Sequence, residues 1–211
     1  MDKKVVNEIF RRFSEKKPAP KIELDYYSPY TLLIAVVLSA QSTDKGVNRA
    51  TPQLFEIADT PEKMLALGEE TLKKYIKTIG LFNSKAKNII LLSKQLLENH
   101  AGVVPNDSAA LQKLAGVGRK SAHVLLNSLW QKEVIAVDTH VLRVSNRIGL
   151  AHAKNVLQTE LQLEKVVPKQ WKLYAHHWLV LHGRYVCKAR KPDCSHCLIN
   201  DLCKFSDKIL A

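Results

Sequence analysis

Leu114-Ala-Gly-Val-Gly-Arg-Lys-Ser-Ala122 is the stretch on which the reading of this chain turns. It follows a short helix that Asp107 is placed to cap. Its two glycines, one residue apart, let the backbone turn tightly and approach a neighbour closely, because neither has a Cβ to clash. The pattern predicts a second helix from about Arg119, with the amides of Gly116, Val117 and Gly118 pointing outward ahead of it. Free amides at a helix N-terminus form an anion site, so a backbone phosphate fits there without any contact to a base. Lys120 falls in the first turn of that helix. Most lysines are solvated surface groups, but an amine at the positive end of a helix dipole, beside Arg119, is disposed to act as a nucleophile.

On either side the chain reads as helices joined by short turns, an all-α pattern. Val5, Val6, Ile9, Phe10 and Phe13 recur at helical spacing until Lys17-Pro-Ala-Pro-Lys21 breaks it. Ser28-Pro29 opens a helix as N-cap and first residue and leads into Leu32–Leu38, apolar on every side and therefore expected at the centre of a bundle. Further helices are expected at Lys45–Phe55, Pro61–Leu67, Glu70–Thr78 and Lys85–Asn99. Val134–Val137 could form a strand, although nothing nearby alternates to pair with it. Leu32–Leu38 is the longest uncharged apolar run and is far too short to span a bilayer. The N-terminus has no signal-peptide core, which points to the cytoplasm, in association with the nucleoid.

The 211 residues carry 32 Lys plus Arg against 20 Asp plus Glu, a formal charge of +12, with 46% hydrophobic residues. A core of ordinary size is therefore available, disorder is excluded, and the excess positive charge sits on a folded surface that suits a polyanion. That excess is uneven: residues 1–21 hold 7 basic and 3 acidic side chains, 22–132 hold 13 and 10, and 133–211 hold 12 and 7. The basic surplus thus lies in the terminal segments, which suggests that they form one lobe together.

Two more features carry chemistry. Asp138, in Val137-Asp-Thr-His140, precedes another amphipathic helix; it is placed to be an N-cap, worth about 1 kcal/mol. A carboxylate held there also suits the stabilisation of positive charge on a sugar better than it suits acid catalysis. Cys187-x6-Cys194-x2-Cys197-x5-Cys203 contains every cysteine of the chain within 17 residues. A reducing compartment favours metal ligation over disulfides. Zinc sites usually bring two close-spaced pairs, whereas this run has one, so a [4Fe-4S] cluster is the better fit. Arg184, Lys188, Arg190 and Lys191 flank the run as phosphate contacts in a loop that the cluster would hold in shape. His140, His176, His177 and His182 read as packing or phosphate-contacting residues rather than ligands.

The hairpin resembles the helix-hairpin-helix motif of DNA-repair proteins, whose usual form has Pro where this chain has Ala115. Together with Lys120, Val137–His140 and the cysteine spacing, it resembles the endonuclease III family of base-excision repair enzymes over nearly the whole chain. Ser39–Asp44, Ile79–Ala86 and Leu181–Tyr185 also resemble family segments. The resemblance implies two helical lobes with a DNA-binding cleft between them. One is a six-helix barrel over 22–132 with the hairpin at about 107–129; the other joins 1–21 to 133–211 and carries the cluster. It implies Lys120 as nucleophile and Asp138 as its assisting carboxylate, acting on oxidised pyrimidines through a Schiff base and β-elimination. It also implies Gln41 and Leu81 as residues that fill and wedge the duplex, and a monomer acting on damaged double-stranded DNA; from the basic flank of the cysteine run, Arg184 and Lys191 are expected among the DNA contacts. Two other classes fit less well. An adenine-type mismatch glycosylase typically has Ser at the position of Lys120 and a sizeable further C-terminal domain, whereas this chain stops eight residues after Cys203. A non-catalytic, cluster-containing damage-binding module would not need both Lys120 and Asp138.

Overall fold

The computed structural model describes Met1–Leu210. Among these residues there are eleven α-helices, one short 3-10 turn and no strand. The helices are α1 (Lys3–Lys16), α2 (Pro29–Ser39), α3 (Asp44–Ile57), α4 (Pro61–Leu67), α5 (Glu69–Ile76), α6 (Phe82–His100), α7 (Ser108–Lys113), α8 (Arg119–Trp130), α9 (Thr139–Ile148), α10 (Val156–Val166) and α11 (Lys169–Tyr185). None is long and apolar enough to cross a membrane. By their internal contacts the residues form two compact units, Glu23–Trp130 and Met1–Ile22 with Gln131–Ala211.

Glu23–Trp130 contains seven helices, α2 to α8, with α2 at the centre. Every residue of α2 from Tyr30 to Leu38 is buried, which is what a helix apolar on all sides requires. Its start is fixed by Pro29 and by a reciprocal capping box between Ser28 and Thr31. It packs against α3, α6 and α8. A polar link in this core, between the Tyr30 hydroxyl and Ser93 Oγ at 2.6 Å, is satisfied internally, and burial raises the Tyr30 phenol well above its usual range.

The other unit is held by a single apolar core shared between the two ends of the chain. Val6, Ile9, Phe10 and Phe13 of α1 pack with Val141, Val144 and Ile148 of α9 and with Trp178 and Leu179 of α11. The Trp178 indole N–H donates to the Lys17 carbonyl at 2.8 Å. Arg12 donates to Asp201 and to the Leu198 carbonyl, tying α1 to the cysteine-bearing segment. Val134–Val137 is not a strand. Ile135, Ala136 and Val137 are buried without regular secondary structure, because side chains rather than a neighbouring strand satisfy the backbone. The Ile135 amide donates to Glu164 at 3.2 Å, and His176 Nδ1 lies 2.6 Å from the Ala136 carbonyl oxygen.

Candidate active site and cluster loop

The hairpin of Glu23–Trp130 is built as a brace. Asp107 caps α7 through the Ala110 amide at 2.7 Å. Gly116 sits at φ +79°, and a Cβ there would lie 3.1 Å from Asn88 and 3.3 Å from Val37, so glycine is required both by the left-handed turn and by the packing behind it. Gly118 differs: its φ is ordinary and a Cβ would meet nothing within 4 Å. Its carbonyl accepts the first helical bond of α8, from Ala122 at 2.9 Å, which makes it an N-cap with no side-chain oxygen to offer the amides that follow. One of the three amides expected to face outward does not. The Val117 amide is already bonded to the Leu114 carbonyl at 3.1 Å and its side chain is buried, so Val117 anchors the turn instead of presenting a donor. Lys120 is exposed in the first turn of α8.

Gln95 of α6 also belongs to the hairpin. Its Oε1 accepts from the Ala115 amide at 2.8 Å and its amide group donates to the Lys113 carbonyl at 3.3 Å. Ala115 thus has an N–H that a proline would lack, and Gln95 uses it. Nothing local in the sequence points to this pairing of residues 20 apart.

Gln41 and Leu81 occupy two turns of the same unit. Gln41, just beyond α2, has φ 55°, and Leu81, which opens α6, has φ 58°; each left-handed non-glycine conformation costs about 1–3 kcal/mol. Both side chains are exposed, Leu81 at 59%. A Cβ on Gly80 would lie 3.7 Å from the Gln41 carbonyl oxygen and from Ser42 Oγ, so the two turns lie side by side.

In the unit containing both termini, Asp138 caps α9. Its Oδ1 accepts from the His140 and Val141 amides at 2.8 and 2.9 Å, which fixes the half-buried carboxylate and leaves Oδ2 without a hydrogen bond among the described residues. Burial first, and then the neighbouring Arg143 and Arg184 charges, hold His140 below the usual histidine range, against the opposing pull of Asp138. His140 Nδ1 faces Arg143 at 3.2 Å. His176, His177 and His182 are buried, and no set of three His, Cys, Asp or Glu side chains among the described residues is gathered to hold a single metal ion.

The four cysteines are free thiols that line one cavity, walled by Ile148, His182 and Phe205. Donors spread around a cavity, rather than converging on a point, suit a polynuclear centre. Burial pushes the Cys197 thiol up to about 11, and binding of a metal centre would release that proton. Cationic and polar groups face the thiols: Arg147 lies 3.6 Å from Cys187 Sγ and His182 Nε2 lies 3.7 Å from Cys197 Sγ. Arg143 donates to the Cys187 and Gly183 carbonyls, and Arg147 to those of Lys188 and Ala189. These two arginines, one turn apart on α9, shape the start of the loop; their i, i+4 spacing is the only sequence signal for them. Lys188, Arg190 and Lys191 are exposed on the loop, Lys191 with φ 50°, while Arg184 is half-buried in the last turn of α11.

An all-helical fold with a glycine hairpin, a lysine in the first turn of the helix that follows it and a four-thiol loop defines a helix-hairpin-helix DNA-repair protein. Residues 34–169 match the model of the HhH-GPD superfamily of base excision DNA repair proteins, and residues 187–203 match the iron-sulfur binding domain of endonuclease III. Endonuclease III of Rickettsia conorii is 58% identical, covering 97% of this chain and 98% of its own length; that of Haemophilus influenzae is 56% identical, covering 96% of each. A solved structure of a trapped endonuclease III–DNA covalent intermediate superposes with a TM-score of 0.91 at 41% identity, covering 97% of this chain and 96% of its own. The chain belongs to the endonuclease III family. It is accordingly a base-excision DNA glycosylase and abasic-site lyase that carries a [4Fe-4S] cluster and has DNA as its partner.

Proposed function

We propose that the enzyme removes oxidised pyrimidines from double-stranded DNA through Lys120 and then cuts the resulting abasic strand. The Lys120 amine attacks C1′ of the extruded nucleotide; the new C–N bond forms as the glycosidic bond breaks, and the base leaves with the electron pair. The sugar opens to a Schiff base on Lys120. This iminium acidifies C2′–H, and loss of that proton expels the 3′ phosphate by β-elimination; water then releases Lys120. Asp138, its charge held by two helix amides and one oxygen left over, stabilises the positive charge that builds on the sugar. The observation that carries this reading is the exposed lysine in the first turn of α8, directly after a glycine N-cap. The relative trapped covalently on DNA supports the same chemistry.

Gly116 and Gly118 position a phosphate at the open end of α8, and Arg184 and Lys191 contact the DNA backbone. Gln41 and Leu81 enter the duplex as the damaged base leaves it. Cys187, Cys194, Cys197 and Cys203 hold the cluster, which supplies a rigid centre around which the basic loop folds. The enzyme works as a monomer in the cytoplasm, on the nucleoid.

Borohydride reduction in the presence of abasic duplex tests the mechanism. A covalent protein–DNA adduct is expected, and Lys120→Ala abolishes it. Absence of an adduct with the intact protein overturns the mechanism.

A further inference from the structure

Lys85 is a lysine in the wrong place for a solvated side chain. It is 4% exposed and takes no part in the chemistry above. It lies on the apolar stripe of α6, in line with Ile89, Leu92 and Leu96, which are all buried. Burial pushes its ammonium below the usual lysine range. Its Nζ donates to the Leu38 carbonyl at 2.9 Å and to Ser42 Oγ at 2.8 Å. The first of these is one of the last carbonyls of α2, the negative end of that helix's dipole, which offsets a buried cation. The two acceptors bracket Gln41. The Lys85 backbone amide in turn donates to the Leu81 carbonyl at 3.1 Å, closing the first turn of α6 on the other left-handed residue. One residue is therefore bonded to Leu81 itself and to Leu38 and Ser42 on either side of Gln41, and the Gly80 backbone packs against the Gln41–Ser42 turn.

We propose that Lys85 is a positioning residue that locks the turns bearing Gln41 and Leu81 into one two-pronged element, and so governs the opening of the duplex rather than the chemistry at the sugar. The inference rests on the reading that Gln41 and Leu81 enter the duplex. A damaged base must be unpaired and unstacked before attack, whereas an abasic sugar has no base to extrude. Dependence on Lys85 therefore grows with the stacking of the target and is least at an abasic site.

Lys85→Met keeps the length and removes the donors. Single-turnover base excision from a duplex with one oxidised pyrimidine is expected to slow at least tenfold, while strand cleavage at a preformed abasic site slows less than threefold. The fluorescence rise of 2-aminopurine placed opposite the lesion should be lost on the damaged duplex. Equal slowing on the two substrates marks a merely structural role and overturns the proposal, as does no slowing on either. If Lys85→Met does not fold, Ser42→Ala removes one acceptor and leaves Lys85 in place. It should give the same split at about threefold, and equal or absent slowing again overturns the proposal. Gln41→Ala and Leu81→Ala are measured alongside. If they leave excision unchanged, the reading of the prongs has failed; if they slow it and Lys85→Met does not, only the inference about Lys85 has failed.

Discussion

The two helices that carry Lys120 and Asp138, the residues proposed to act at the sugar, begin in opposite ways. α9 is closed at its N-terminus by Asp138, whose Oδ1 takes two amides at once. α8 begins at Gly118, which has no side chain to offer and open space where one would be. The same dipole therefore does two jobs. In α9 its positive end is closed by a carboxylate held in place by two amides; in α8 it carries no side-chain cap, as an external anion would require, and an exposed amine stands in its first turn. On the proposed reading, a helix N-terminus takes a ligand where the side-chain cap is missing and the turn before it is braced from behind.

Asp138→Asn sharpens this most, because an amide oxygen can still cap α9 while the charge is gone. Base release is expected to slow by about a hundredfold with DNA binding weakened much less and the thermal midpoint little changed; single-turnover kinetics beside binding isotherms check this, and unchanged turnover refutes the catalytic role. The two hairpin glycines should separate next. Gly116→Ala forces a Cβ onto Asn88 and Val37 at a left-handed φ and should destabilise the fold by about 1–3 kcal/mol. Gly118→Ala meets nothing within the chain, so stability should stay within about 0.5 kcal/mol while affinity for duplex DNA falls. Urea titrations of both variants decide it, and similar losses of stability would show that the end of α8 is not an open site. The smallest effect is expected at the brace. Gln95→Leu strands the Ala115 amide and should cost about 1 kcal/mol. Ala115→Pro removes that amide, so adding it to Gln95→Leu should cost less than adding it to the intact protein, a coupling of about 1 kcal/mol in a double-mutant cycle.

Much of this was legible in one dimension. An all-helical fold followed from the periodicity. The start of α2 followed from Ser28-Pro29, and its burial from having no polar side at all. α4 begins and ends where the turn residues placed it, while α6 begins three residues before the expected Lys85, because Leu81 opens it from a left-handed conformation that no propensity signals. Val134–Val137 was ambiguous for a physical reason: a short buried apolar run looks alike whether a strand or a set of side chains satisfies its backbone. The cysteine spacing indicated one centre, but not Arg143 and Arg147, whose acceptors are carbonyls some forty residues away.

The sequence by itself determined the residue types the chemistry needs and their local stage: a lysine after a glycine hairpin, an aspartate at a helix start, four thiols within one short run. These depend on backbone freedom, capping and ligand spacing, which act over a few residues. Only the tertiary structure decided which amides remain for a phosphate, since Val117 spends its own on the turn, and which distant side chains brace the site. Gln95 and Lys85 could not be read from their neighbours because their partners are carbonyls, amides and hydroxyls brought near by packing, and hydrogen bonds of that kind leave no periodic trace along the chain.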